Sequence, residues 1–117
     1  MPERSPPISE ETRRRLASTS TATLTTLLFN KGLRNCFLNG VRPVAPGKPV
    51  MVGPAYTLRM IPSREDVDNL FERDSRTDLQ RLTAEAVPPG AVLVVDSRGV
   101  AGAASGGAVL ALRMPVR

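Results

Sequence analysis

The chain has no histidine, no tryptophan and a single cysteine, and each shortage closes off a class of chemistry. Without histidine there is no His-based catalytic triad and none of the usual zinc sites. Any metal must be a hard cation held by carboxylates, carbonyls and water. One thiol, Cys36, cannot form a disulfide within the chain, which suits a reducing compartment. Cys36 is expected to be a small buried hydrophobe. Three Phe and one Tyr leave few aromatics, so the core must be mainly Val, Leu and Ala. Lysine is scarce too: 14 Arg and two Lys stand against 11 carboxylates, for a net charge of +5. The arginines are scattered among carboxylates except at Arg13, Arg14 and Arg15. With no basic stripe and no stacking platforms, direct nucleic-acid binding is not expected. No apolar run approaches the ~20 residues that span a bilayer. The start, MPERSPPISEE, has no apolar signal core. These features predict a cytoplasmic chain with no membrane partner.

What the chain does have is concentrated in residues 88–110, PPGAVLVVDSRGVAGAASGGAVL. Pro88, Pro89 and Gly90 make a turn. Residues 91–95 are a short apolar, valine-rich run, the pattern of a strand covered on both faces. Asp96 closes that strand, and Gly99, Gly102, Gly106 and Gly107 let the backbone turn sharply. A last helix is predicted to start at Ser105 or Gly106 and to run through Leu112 to a stop at Pro115. Ligands of open α/β sheets bind at the carboxyl ends of strands, so a site is expected here. The competing account is a plain strand-to-helix connection with a solvated aspartate.

The rest of the 117-residue chain, one domain at most, supplies the partners of this unit. Ser9 is placed to cap a helix over residues 10–17. Glu10 and Glu11 lie in its first turn and the arginine triplet in its last, which complements the helix dipole. A second helix is predicted over residues 22–31, ending at Gly32, with Leu24, Leu27, Leu28 and Lys31 on its inner face. Residues 33–49 read as irregular, with Pro46-Gly47 as a turn. Residues 51–61 alternate as a half-buried strand, interrupted at Pro54 by a bulge or an edge. Ser63 and Asp66 resemble a capping box opening a helix. Residues 69–77 carry no clear pattern, and residues 78–86 read as a helix ending before Pro88. The order ααβ(β)αβα is a mixed α/β pattern. A strand–loop–helix unit normally feeds a following parallel strand, and the chain stops just after the helix, so part of a larger domain is expected.

Several segments resemble the RraA-like family, which includes the regulator of ribonuclease E activity and the 4-hydroxy-4-methyl-2-oxoglutarate aldolases. They are STSTATLTTLL (18–28), NGVRPVAPG (39–47), MVGPAYTLRMIPSRED (51–66) and PPGAVLVVDSRG with ASGGAVLALR (88–113). The resemblance divides the chain into a lead-in with a short helix (1–17) and a partial RraA-like domain (18–117), roughly the first half of a typical member. It implies a layered α/β domain similar to the swivelling phosphohistidine domain, assembled as a homotrimer. It implies a class II aldolase that releases pyruvate from a small keto acid, with oxaloacetate decarboxylation as a related activity. The implied cofactor is a divalent metal, magnesium or manganese, that stabilises the pyruvate enolate. The alternatives are a non-catalytic protein that binds ribonuclease E, or an inactive fragment.

By resemblance, Gly107, Ala108, Val109 and Leu110 are the substrate-binding loop, whose backbone N–H groups would hold a carboxylate. Ala108 stands where the family has an acidic residue. The family's Arg-Asp pair, which binds substrate and metal, follows a further strand, so no direct metal ligand is assigned in this chain and Arg117 is not the substrate arginine. Asp96 either lies near the metal site or caps the strand end and holds the Gly99 loop, the second being preferred. Arg98 either faces an anionic substrate or a neighbouring subunit, or is solvated surface, the last being preferred. A salt bridge from Arg59 or Arg64 to Glu65 or Asp66 is also expected.

Overall fold

The computed structural model describes residues 7–44, 47, 50–64, 66–69, 74, 76–100, 102 and 106–114. They form six elements: α1 (Glu10–Ala17), α2 (Thr21–Asn30), β1 (Ala55–Arg59), α3 (Leu79–Ala86), β2 (Val92–Asp96) and α4 (Ala108–Arg113). The chain divides into two units, Met1–Gly53 with α1 and α2, and Pro54–Arg117 with the strands and the remaining helices. The result is a small mixed α/β protein with a two-stranded parallel sheet.

In the first unit each helix opens on a serine. The Ser9 hydroxyl accepts from the Thr12 N–H and the Ser20 hydroxyl from the Thr23 N–H, both at 3.1 Å. Each satisfies one donor that the helix leaves unpaired. α2 is rich in threonine, a weak helix former. The Thr25 and Thr26 hydroxyls turn back onto the Thr21 and Ala22 carbonyls at 2.8 and 3.1 Å, so their polar groups are met within the helix. Gly32 ends it at φ +83, with Leu33 N–H donating to Leu28 O at 3.0 Å and Gly32 N–H to Phe29 O at 2.9 Å. This double closure needs the left-handed conformation that glycine adopts without strain.

In the second unit β1 and β2 pair in parallel, with Ala55 opposite Val92 and Arg59 opposite Asp96. Tyr56 and Leu58 of β1 are half-buried while Ala55, Thr57 and Arg59 are exposed, the period-2 alternation of a sheet with one covered face. Pro54 marks the start of the strand rather than a bulge. It lacks an N–H, and its carbonyl accepts from Val92 N–H at 2.9 Å. α3 connects the strands as the crossover of a βαβ unit. Asp78 caps α3 by accepting from the Arg81 N–H at 3.0 Å. Ala84 and Val87 are the buried apolar residues among those described. α4 packs on α3, and its Arg113 donates to Glu85 at 2.7 Å.

Four expectations are corrected. β2 is half-buried, not covered on both faces, and among the described residues its sheet has only the two strands β1 and β2. Leu27 is exposed rather than part of an inner face of α2, whose half-buried positions are Leu24, Thr25 and Leu28. Cys36 is exposed, and its thiol lies 3.5 Å from the Arg34 carbonyl. No helix opens at Ser63. The Asp68 carboxylate instead takes the Arg64 N–H at 2.7 Å and the Ser63 hydroxyl at 3.4 Å, and Asp66 pairs with the Arg64 guanidinium. Side-chain acceptors that capture nearby donors compete with helix formation, and here they hold a single turn. The expected start of the last helix at Ser105, its stop at Pro115 and the Pro46 turn position lie outside the described residues.

Candidate functional site

The carboxyl ends of two parallel strands meet at Arg59 and Asp96. Because the residues are register partners on the same face, the Arg59 Nε donates to Asp96 Oδ2 at 3.2 Å. The ladder continues one step further, with Met60 N–H donating to the Asp96 carbonyl at 2.8 Å. The other carboxylate oxygen, Oδ1, accepts from the Arg98 N–H at 2.9 Å. That bond folds a tight turn: Val100 N–H donates to Ser97 O at 3.1 Å, and both central residues, Arg98 at φ +57 and Gly99 at φ +73, lie in the left-handed region. Two positive φ values in succession define the type I′ geometry, which glycine accepts readily and arginine does not. Asp96 therefore holds the turn at its costly residue.

The electrostatics follow from the same contacts. The Arg98 N–H first, then the Arg59 guanidinium, hold the Asp96 carboxyl below the usual carboxylate range. Asp96 remains exposed and ionised at neutral pH, with one oxygen given to the turn and the other to Arg59.

Gly107 to Leu110 open α4. Gly107 is extended at φ −132 and ψ 177, and no side chain caps the helix. Among the described residues no side chain thus accepts from the N–H groups of its first turn, which a helix leaves without a partner of its own. A Cβ at Gly107 would meet nothing within 4 Å, and one at Gly106 would touch only Leu110 Cδ2 at 3.8 Å. The glycines keep this approach open. Ala108 and Val109 are exposed and Leu110 is half-buried.

The structure thus gathers Asp96 and Arg98 with Arg59 at the strand ends, and sets Gly107, Ala108, Val109 and Leu110 at the start of α4. No hydrogen bond or ion pair among the described residues joins the two groups. Arg59 is the residue that sequence reasoning did not bring to Asp96. Alternation put it on the outer face of its strand, but only the pairing register across 37 residues sets it beside the carboxylate. The expected salt bridge of Arg64 to Asp66 is present.

The sequence profile of the RraA-like family, described as Aldolase/RraA, matches residues 19–115. The chain belongs to the RraA-like family. No curated protein and no solved structure matches it significantly. The RraA-like match spans both units, from α2 through α4.

The described side chains form no ready ligand set for a divalent cation. Among the described residues no three His, Cys, Asp or Glu side chains come together. Four described carboxylates are engaged with arginines: Asp66 with Arg64, Asp74 with Arg76, Glu85 with Arg81 and Arg113, and Asp96 with Arg59, while Asp68 and Asp78 accept the Arg64 and Arg81 backbone N–H groups. Among the described residues no helix is long and apolar enough to cross a membrane.

Proposed function

We propose that this protein is an aldolase-type member of the RraA-like family, acting on 4-hydroxy-4-methyl-2-oxoglutarate or a close keto acid. The observation that carries the reading is the family match over residues 19–115, which includes the glycine start of α4. In the retro-aldol step the bond between C3 and C4 of the substrate breaks. The C4 hydroxyl loses its proton, C4 becomes the carbonyl of one pyruvate, and the electron pair goes to the enolate of the other. Carbon protonation completes that second pyruvate. The same enolate follows from decarboxylation of oxaloacetate, which makes that a related activity.

The chain's own groups bind and orient. The N–H donors of Ala108, Val109 and Leu110 hold a substrate carboxylate, as helix starts hold anions. Their direction matters more than the dipole, because α4 is only 6 residues long. Asp96 and Arg98 shape the preceding turn and do not touch substrate. Magnesium or manganese, which the resemblance implies, finds no ligand set among the described residues, so no role of these side chains runs through it. A layered swivelling-type domain, a homotrimeric assembly and a cytoplasmic location belong to the same proposal.

A second reading is favoured by one specific feature. Ala108 occupies the loop's acidic position, and the carboxylate at the strand end is already engaged by Arg59. On that reading the protein is a non-catalytic regulator that binds ribonuclease E. One assay separates them: the purified chain at high concentration with the keto acid and magnesium or manganese, followed by pyruvate formation. Pyruvate release that a chelator abolishes supports the lyase. No release, together with slower RNA cleavage by ribonuclease E, supports the regulator and overturns the lyase.

A further inference from the structure

The net positive charge lies in one unit. From Thr12 to Arg64 the chain has no Asp or Glu and nine Lys or Arg. The whole excess of +5 lies within Met1–Gly53, whereas Pro54–Arg117 carries eight residues of each sign. The second unit balances its own charge, and its Asp66, Asp74, Glu85 and Asp96 pair with its own arginines. The first unit has no such supply. Arg13 reaches Glu10 at 3.7 Å, but Lys31, Arg34 and Arg42 are exposed with no carboxylate partner among the described residues.

Those cations are interleaved with large apolar side chains that water meets. Phe29 is 56% exposed, Phe37 52% and Leu38 64%, and Leu33 and Val41 are exposed as well. The Schellman closure of α2 puts Leu33 beside the helix end, and the Arg34 guanidinium lies 5.1 Å over the Phe29 ring. Phe29, Leu33 and Arg34 thus share the end of α2, and the exposed Phe37, Leu38, Val41 and Arg42 follow directly along the chain. An apolar patch rimmed by charge of one sign marks an interaction surface, and its complement carries the opposite charge.

We infer that the surface formed by the end of α2 and the segment after it docks an acidic amphipathic protein segment. Carboxylates of the segment meet Lys31, Arg34 and Arg42, and its apolar side chains cover Phe29, Leu33 and Phe37. Other occupants fit less well. A second copy brings another +5 and a neutral second unit, so it offers repulsion rather than complement. A single nucleic-acid strand needs open aromatic faces. Here the exposed apolar groups are mostly aliphatic, and Arg34 already covers the Phe29 ring. A lipid surface needs one continuous apolar helix face, whereas the exposed Leu27 and Phe29 of α2 are interrupted by its threonines and by Leu28, which is half-buried.

The test uses the full chain and fluorescence anisotropy. The probe is a labelled amphipathic Glu/Leu peptide of roughly four helical turns, the size of a helix that fills a groove. The comparison probes are the same peptide with Lys for Glu, a polyuridine strand, and vesicles of phosphatidylserine and phosphatidylcholine. The acidic peptide is expected to bind, with affinity falling severalfold as salt screens the contacts. The double variant R34E/R42E is expected to weaken binding by about tenfold or more through like-charge repulsion. The milder R34Q/R42Q is expected to show an intermediate loss, and R76E in the second unit none. The inference is overturned if the Lys peptide binds as well, if polyuridine or the vesicles bind more tightly than the acidic peptide, or if both Arg34/Arg42 variants bind the acidic peptide unchanged.

Discussion

Arg59 and Asp96, Cα partners at the carboxyl ends of the two parallel strands, are joined by a hydrogen bond of 3.2 Å from guanidinium to carboxylate. The same carboxylate holds the Arg98 N–H at 2.9 Å, so one side chain links the sheet register to the turn that leaves it. Asp96→Ala removes both links. Amide exchange at Arg98 and Val100 is expected to speed up by roughly tenfold, because the turn keeps its strained residue and loses its acceptor. Asp96→Asn, which retains an acceptor for Arg98, should recover most of that protection. Equal exchange in Asp96→Ala and the parent chain would show that the carboxylate does not hold the turn.

Arg98 adopts φ +57, where a branched-out side chain is costly and Asn is several times more frequent than most residues. Arg98→Asn is therefore expected to stabilise the protein by about 0.5–1 kcal/mol, part of the ~1–2 kcal/mol that a left-handed L-residue costs. The reverse change at its neighbour, Gly99→Ala at φ +73, should destabilise by a similar ~1–2 kcal/mol, although a Cβ there meets no atom within 4 Å. Urea unfolding of both variants checks the opposite signs.

Ala84 on α3 is fully buried. Ala84→Leu adds three carbons where the neighbours leave no room and is expected to cost about 1–3 kcal/mol. A melting temperature equal to that of the parent would show that the contact surface of α3 is loose enough to absorb a larger residue.

Acid should destabilise the second unit. The Arg81 and then the Arg113 guanidinium hold the Glu85 carboxyl below its ordinary value. Arg64 does the same for Asp66, and Arg76 for Asp74. Asp96 is lowered by the Arg98 N–H and by Arg59. A carboxylate with a folded pKa below its unfolded one contributes stability that is present above the unfolded pKa, about 4. That contribution fades as pH falls through the folded value. Urea midpoints are thus expected to be flat from about pH 5 to 7 and to drop below about pH 4. Glu85→Gln should reduce that drop, and an unchanged acid profile would argue against the pairing.

Gly107→Asp should cap α4, since the position is extended and open, and add a few tenths of a kcal/mol of stability. The new carboxylate would occupy the same N–H donors proposed to hold substrate. Binding of oxalate, a small dicarboxylate, measured by calorimetry with the full chain, is expected to be lost in this variant. Retained oxalate affinity in a stabilised Gly107→Asp protein would move the anion site elsewhere.

Much of the local structure was legible in the residues. Ser9, Gly32 and Asp78 sit where capping chemistry requires an acceptor or a left-handed glycine, and the helices begin or end there. The alternation around Tyr56 and Leu58 and the valine run before Asp96 marked the strands. Ser63 and Asp66 misled because the capping pattern is read from spacing alone. Asp68, two residues further on, competes for the same donors and wins. Cys36 misled because burial is a property of the surroundings and not of the thiol. At the candidate site, Asp96 and the glycine start of α4 were readable and the Arg59 contact was not.

The sequence by itself determined where segments turn, cap and stop, because those choices rest on hydrogen bonds and φ preferences within a few residues. It also determined the family, and the net positive charge of residues 1–53. Tertiary structure decided which distant groups meet. The parallel register set Arg59 against Asp96, and packing of α4 on α3 set Arg113 against Glu85. Such pairs depend on how strands slide and helices dock, which no local pattern encodes, and they set Asp96 and Glu85 against distant arginines.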